Sequence, residues 1–220
     1  MSIVSAKMLT KVYAGKIRGY YRNLPLFPPL VHVALGIKGD FPNVPHEISY
    51  ILDKPVSIGN RLHKSIGFTF YNNYDPTLAK PGKTVVVAML NSDYDYWKKL
   101  KQDNPKQYIE EKEKIGDQIV ALLDSHFPGT AKQVEMRDVA TPLTWERYSG
   151  NWQGSYEGWL ITKKTFMMRI NKELPGLKNF YMSGQWVEPG GGVPAVAMSA
   201  RNTMQIICKR EGRKFTTTKP

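Results

Sequence analysis

The residues predict an α+β fold, with a mixed or antiparallel sheet and covering helices, and three features carry that expectation. From Pro29 to Leu90 the chain reads as strands divided by turns. A long amphipathic helix follows near 105–127, and the last part holds a glycine triplet before a helix that opens on proline.

The strand region contains Leu30 to Ile37, Glu47 to Leu52, Ser65 to Tyr71 and the β-branched run Thr84 to Leu90, punctuated by Gly39-Asp40, Asn72-Asn73 and Pro81-Gly82. Ser92-Asp93 then leads into a helical stretch. The next helix, about Pro105 to Phe127, sets Tyr108, Ile115, Ile119, Leu122 and Phe127 on one side, with Lys112 adding its aliphatic stem. Pro128-Gly129 stops it, and Gln133 to Val139 reads as another strand. Thr141 is a candidate helix cap and Pro142 a first helical residue; Glu146 lies too far along for a strict capping box. Arg147 to Trp159 is a loop rich in glycine and aromatics, which either covers a ligand or folds on itself. Asn179 to Ser183 reads as a short buried strand. Val193 to Lys209 reads as the last helix, with Ala197, Ala200, Met204 and Ile207 as its apolar stripe.

With 220 residues and 41% hydrophobic content the chain is long enough to bury a substantial core. The net charge of +12 raises nucleic acid or an anionic membrane as partners. The cations are spread and interleaved with Glu110, Glu111 and Glu113, gathering only at Lys209, Arg210, Arg213, Lys214 and Lys219, a pattern that weighs against nucleic acid. A single cysteine, Cys208, allows no internal disulfide, fits a reducing compartment and reads as a small buried hydrophobe. The segment from Met1 to Met8 has no secretion-signal pattern, so the cytoplasm is expected, with membrane contact at most peripheral.

Most of the functional information lies between Phe180 and Asn202. Gly190, Gly191 and Gly192 tolerate positive φ, Pro194 suits a first helical turn, and the unpaired N–H groups there favour an electron-rich ligand. An ordinary tight turn is the competing explanation. Gly190, Gly192 and Ala195 formally satisfy a dinucleotide fingerprint, with Glu211 at the distance of a ribose-binding acid. That match is misleading, because Gly184 to Pro189 intervene after the strand and only a basic tail follows the helix.

The run Gly184-Gln-Trp-Val-Glu-Pro-Gly-Gly-Gly-Val-Pro-Ala-Val-Ala-Met-Ser-Ala resembles the C-terminal flavin-binding motif of the phytoene desaturase family of FAD-dependent oxidoreductases, which also holds carotenoid isomerases and retinol saturases. Thr141 to Gly154 resembles the family's aromatic segment, and Ser92 to Trp97 its strand-to-helix junction. Ala195 and Ala200 stand where many relatives have glycine, and these residues contain no N-terminal G-x-G-x-x-G unit.

The resemblance implies the C-terminal half of such an enzyme. Residues 1–140 would be a substrate-side sheet with helices, 141–178 an aromatic loop and connection, and 179–220 the closing strand and helix of an incomplete FAD-binding domain with a basic tail. It implies that Gly191, Gly192, Val193 and Pro194 set helix N–H groups beside the pyrimidine edge of FAD, flanked by Gly190 and Ala195. Gly184 and Gln185 would lie near the ribityl-diphosphate. Trp145, Tyr148, Trp152, Tyr156 and Trp159 would line the space for an apolar, isoprenoid substrate; a small core beneath the loop is the alternative for these aromatics. The expected partner is an N-terminal FAD-binding half or a neighbouring subunit. A noncatalytic interaction domain that holds a membrane or partner protein by its basic surface is the competing function.

No residue stands out as a general acid or base. His32, His46, His63 and His126 lack metal-ligand spacing. Ser183 and Ser199 lack the nucleophile elbow of serine hydrolases.

Overall fold

The strand-forming runs pair edge to edge in one sheet. A computed structural model describes residues 16–166, 168, 170–173 and 177–217; the readings of Met1 to Met8 and of Lys219 lie outside them. Strands β1 (Leu30–Lys38), β2 (Glu47–Ile58), β3 (Arg61–Phe70), β4 (Lys83–Asn91) and β5 (Val134–Ala140) lie in the order β2-β3-β4-β1-β5. Every neighbouring pair is antiparallel, which removes the mixed alternative. β2 and β3 are longer than expected and meet at a tight turn through Gly59, whose φ is +60°. Pro55 disguised that hairpin: it falls where the β2–β3 register shifts between Ile51 and Val56, an irregularity that tolerates a residue without N–H.

The helices are α1 (Lys16–Asn23), α2 (Tyr94–Asp103), α3 (Pro105–His126), α4 (Pro142–Ser149), α5 (Lys163–Phe166) and α6 (Gly192–Arg210). The chain forms two compact units, one of Pro28–Gly154 and one of the described residues of 16–27 and 155–217.

In the first unit, Val31, Val33, Leu35 and Ile37 of β1 alternate into a core with Phe68, Phe70, Val86, Ala88 and Leu90. α3 adds Ile115, Ile119 and Leu123 to it. Leu123 is buried where Leu122 was expected, because steps of four from Ile115 keep to the inward stripe. The junction after β4 is fixed locally. Asp93 accepts the Tyr96 N–H at 3.1 Å, and the buried Trp97 indole donates to Ser92 Oγ at 2.8 Å. α4 begins at Pro142 with Thr141 as its N-cap, as expected, but a capping box, expected to be absent, is present. Thr144 supplies what an acid would have done, its hydroxyl accepting the Thr141 N–H at 3.1 Å.

The second unit is built on Leu24, Trp159, Ile170 and Val187, with Trp186 packed against them. Phe27 N–H donates to Gly158 O and Leu160 N–H to Pro25 O, both at 2.9 Å, tying the segment before β1 to the loop. The expected buried strand at Asn179 to Ser183 reduces to one bridge, Glu173 with Tyr181, and its residues are half-buried or exposed. Asn179 at φ +60° ends any extended run there.

α6 also corrects its expected orientation. Ser199 and Thr203 are its buried residues, while Ala197, Ala200 and Met204 face outward and Ile207 is half-buried. Cys208 is half-buried rather than buried. The polar face turns inward because it has partners: Ser199 Oγ accepts the Gly184 N–H at 3.0 Å, and Thr203 donates to Ser199 O at 2.9 Å. No helix among the described residues is long and apolar enough to cross a membrane.

Candidate functional site

The glycine turn and the helix it opens lie wholly in the second unit. Gly190, Gly191 and Gly192 have φ of +127°, +61° and +72°, so three successive positions occupy backbone conformations that disfavour side chains. Gly191, with ψ 179°, lies in a region reserved in practice for glycine. The turn is anchored by Gly190 N–H donating to Trp159 O at 3.3 Å and by Gly184 O accepting from Val187 and Glu188 N–H at 3.1 Å.

The backbone is not uniformly open. Gly191 is buried beneath Glu157, whose Cβ lies 2.4 Å from where a Cβ on residue 191 would stand. Gly192 is half-buried and Val193 is 83% exposed. At a helix start the first N–H groups have no intrahelical acceptor, and Pro194 has no N–H, so Gly192 and Val193 supply the donors here. Ala195 is half-buried and Pro194 exposed. Gly184, at φ +109°, has open space where a side chain would point. Gln185 packs its side chain beneath Gly158.

Glu157 was not singled out from the sequence. Burial raises its carboxyl pKa, against a smaller lowering by the Tyr156 hydroxyl. Its signal was weak: one acid among the aromatics and glycines of the loop.

The five expected aromatics divide between the units, with Trp145, Tyr148 and Trp152 in the first and Tyr156 and Trp159 in the second. Trp159 is 1% exposed, donates to Trp186 O at 3.0 Å and meets the Trp186 ring edge-on, a packing role. Tyr156 meets Phe27 edge-on. The loop there folds on itself, Ser155 Oγ both donating to Gly158 O and accepting Gly158 N–H. Tyr148 is exposed.

Trp145 leads to a feature that residue-by-residue reading missed. Its ring stands edge-on to His32 at 5.9 Å, on the sheet face away from the core. On that face the register sets Met89 and Ala140 beside His32, Val87 and Asp138 beside Ala34, and Val85 and Met136 beside Gly36. Apart from His32 and Asp138, small and apolar residues line this surface, on which Met89 and Met136 are exposed. His32 has its pKa lowered, chiefly by burial, which favours the neutral imidazole. The Trp145 indole nitrogen is buried and has no hydrogen-bond partner among the described residues.

His46 and His126 have packing roles. His46 Nδ1 lies 3.1 Å from Phe70 O, and His126 stacks on Tyr50. Among the described residues no group of histidine, cysteine and acidic side chains is arranged to hold a metal ion.

No family model matches the sequence. The chain is 26% identical over 176 residues to the chloroplastic prolycopene isomerase of Daucus carota, covering 78% of this chain and 28% of that protein. It is 29% identical over 126 residues to prolycopene isomerase 2 of an Oncidium hybrid cultivar, covering 57% of this chain and 21% of the relative. A phytoene desaturase of Phycomyces blakesleeanus is 24% identical over 155 residues, with coverages of 66% and 26%. The chain is thus homologous to carotenoid isomerases and desaturases. The aligned stretch spans about a quarter of the length of these relatives. A crystal structure of an oxidoreductase from Methanosarcina mazei superposes with a TM-score of 0.48 at 16% identity, over 91% of this chain and 40% of the other.

Proposed function

We propose that this chain supplies the substrate-side sheet and the flavin-facing helix of an FAD-dependent oxidoreductase of the phytoene desaturase type, acting on an apolar, isoprenoid substrate. The observation that carries the reading is the glycine turn at the foot of α6, which holds three successive positive φ values and leaves Gly192 and Val193 N–H groups ahead of the first intrahelical bond. Homology to carotenoid isomerases and desaturases supports the choice of cofactor and substrate class.

Glu157 covers Gly191, so the approach for a flat, electron-rich group is confined to the half-buried Gly192 and the exposed Val193. In this reading Gly192 and Val193 donate to the pyrimidine edge of the ring, Gly190, Gly191, Pro194 and Ala195 shape the approach, and Gly184 with Gln185 lies nearer the ribityl-diphosphate. FAD, when bound, would supply the hydride acceptor. The chain's own contribution is electrostatic: fixed N–H dipoles favour negative charge at that edge and need no reorganisation. On the first unit, the sheet face around Ala34, Gly36, Val87 and Met89, bordered by Trp145, is the surface suited to an apolar polyene.

The remaining requirement is a dinucleotide-binding segment, which most of the length of the relatives leaves room for. The outward face of α6 suits its attachment, because Val193, Val196 and Met204 are exposed there together with Ala197 and Ala200. The test is to combine the chain with such a segment, from a neighbouring open frame or in one longer polypeptide, and record the visible spectrum. A yellow complex with flavin absorbance supports the reading; a stable colourless complex supplied with FAD overturns it.

A further inference from the structure

In the first unit a cavity of about 490 Å³ opens between the end of α2, the first turns of α3, the edge strand β5 and α4. Lys101, Lys112 and Arg147 line it, and Asp138 is the one acid among its lining residues. Elsewhere many cations have carboxylate partners: Lys83 with Glu135, Lys106 with Glu110, Arg137 with Glu113, Lys172 with Glu188 and Arg210 with Glu173. Among the described residues, Lys101, Lys112 and Arg147 form no ion pair with a carboxylate. Two of them converge on one ring, since the ammonium groups of Lys101 and Lys112 lie 5.4 and 6.0 Å from the centroid of Tyr108. The Arg147 guanidinium lies 5.3 Å from the Tyr148 ring.

Apart from Thr144, the remaining lining residues are apolar or aromatic. Pro105, Val139 and Leu143 contribute walls, and Ile109 and Tyr148 at 53% and 77% exposure are available to a ligand. The Tyr108 ring is held in place, its hydroxyl 2.8 Å from Thr141 Oγ1.

We propose that this cleft binds a phosphate monoester carried on an apolar group. Three cations against one carboxylate leave an excess of two positive charges in the lining, which matches the charge of about −1.5 to −2 on a phosphate monoester at neutral pH. A planar guanidinium and two ammonium groups suit its three terminal oxygens. The apolar walls and exposed Ile109 take up the attached group, which a free inorganic ion lacks. The ester is either a soluble metabolite or the headgroup of a phosphomonoester lipid, and the two sources are separable. The site is remote in sequence from the glycine turn and does not depend on flavin.

Phenyl phosphate, titrated calorimetrically into the full chain, probes the soluble source. Cosedimentation with phosphatidylcholine vesicles, with and without phosphatidic acid, probes the lipid. Saturable binding of phenyl phosphate assigns a soluble ester; binding only to vesicles that contain phosphatidic acid assigns a headgroup. In either case the variant Lys101→Gln/Lys112→Gln/Arg147→Gln is expected to weaken binding by at least about tenfold. The variant Lys54→Gln/Lys64→Gln/Lys80→Gln, which removes the same charge from exposed positions outside the cleft, should change it less than about twofold. Circular dichroism verifies the fold of both. Binding to neither probe, or equal losses in the two variants, overturns the proposal.

Discussion

Glu157 closes over Gly191 so tightly that a methyl carbon placed on residue 191 would lie 2.4 Å from the Glu157 Cβ and 2.9 Å from its Oε2. The carboxylate side chain and the glycine backbone thus form one packed unit at the entrance to α6. The φ and ψ of Gly191 exclude a side chain on conformational grounds as well.

Gly191→Ala should therefore lower stability by roughly 2–4 kcal/mol, combining backbone strain with overpacking. Gly184→Ala is the reference: it has positive φ but open space around the added carbon, so roughly 1–2 kcal/mol is expected from strain alone. Urea denaturation followed by tryptophan fluorescence compares the two. Equal losses would show that the contact with Glu157 adds nothing to the cost at Gly191.

The same carboxylate sets a pH dependence. Burial raises the Glu157 pKa above its ordinary 4.5, so the folded state holds that proton more tightly than the unfolded state. Its stabilising contribution is complete below the unfolded pKa and is lost as pH rises through the folded one. Glu157→Gln should match the parent near pH 4 and exceed it at pH 7, the gap opening above pH 4.5 and then levelling. Melting temperatures taken from pH 4 to pH 8 measure this. A gap that opened in the opposite direction would mean that the ionised carboxylate is favoured at the turn.

The sheet was legible because each strand carries a strong local signal. Thr84 to Leu90 is β-branched and aliphatic, and β1 alternates inward and outward residues from Val31 to Ile37. The β2–β3 hairpin was only partly legible, since Pro55 reads as a breaker until the irregular register gives it a place. The glycine turn was legible because three glycines in sequence have few structural explanations. The orientation of α6 was not. Apolar periodicity assumes that the apolar stripe faces the core, whereas Ser199 and Thr203 are drawn inward by main-chain partners at Gly184 and Met182 that lie far from them in sequence. The contact between Glu157 and Gly191 was hidden for the same reason.

Gly116 on α3 supports a further prediction. A Cβ there would lie 2.7 Å from Arg137 Cδ and Nε, and the guanidinium cannot swing freely because Glu113 and Asp117 both hold it. Gly116→Ala should cost about 1–2 kcal/mol in the parent, where overpacking outweighs the gain in helix propensity. In an Arg137→Ala background the obstruction is gone, and the same change should stabilise by about 0.5–1 kcal/mol. A double-mutant cycle by chemical denaturation tests the reversal of sign. The same sign in both backgrounds would place the cost in the backbone rather than in the arginine.

The two faces of α6 should respond in opposite ways. Ser199→Ala removes the acceptor for the Gly184 N–H, and the buried loss should destabilise the isolated chain by about 1–2 kcal/mol. Val196→Ser and Met204→Ser act on exposed side chains and should change stability by no more than about 0.5 kcal/mol. If that face receives the dinucleotide-binding segment, the same two substitutions should weaken assembly by roughly tenfold or more, because each buries apolar surface only in the complex. Sedimentation velocity of the chain alone and mixed with that segment reads both effects. Self-association of the parent, abolished by Val196→Ser and Met204→Ser, would instead assign the face to a second copy of this chain.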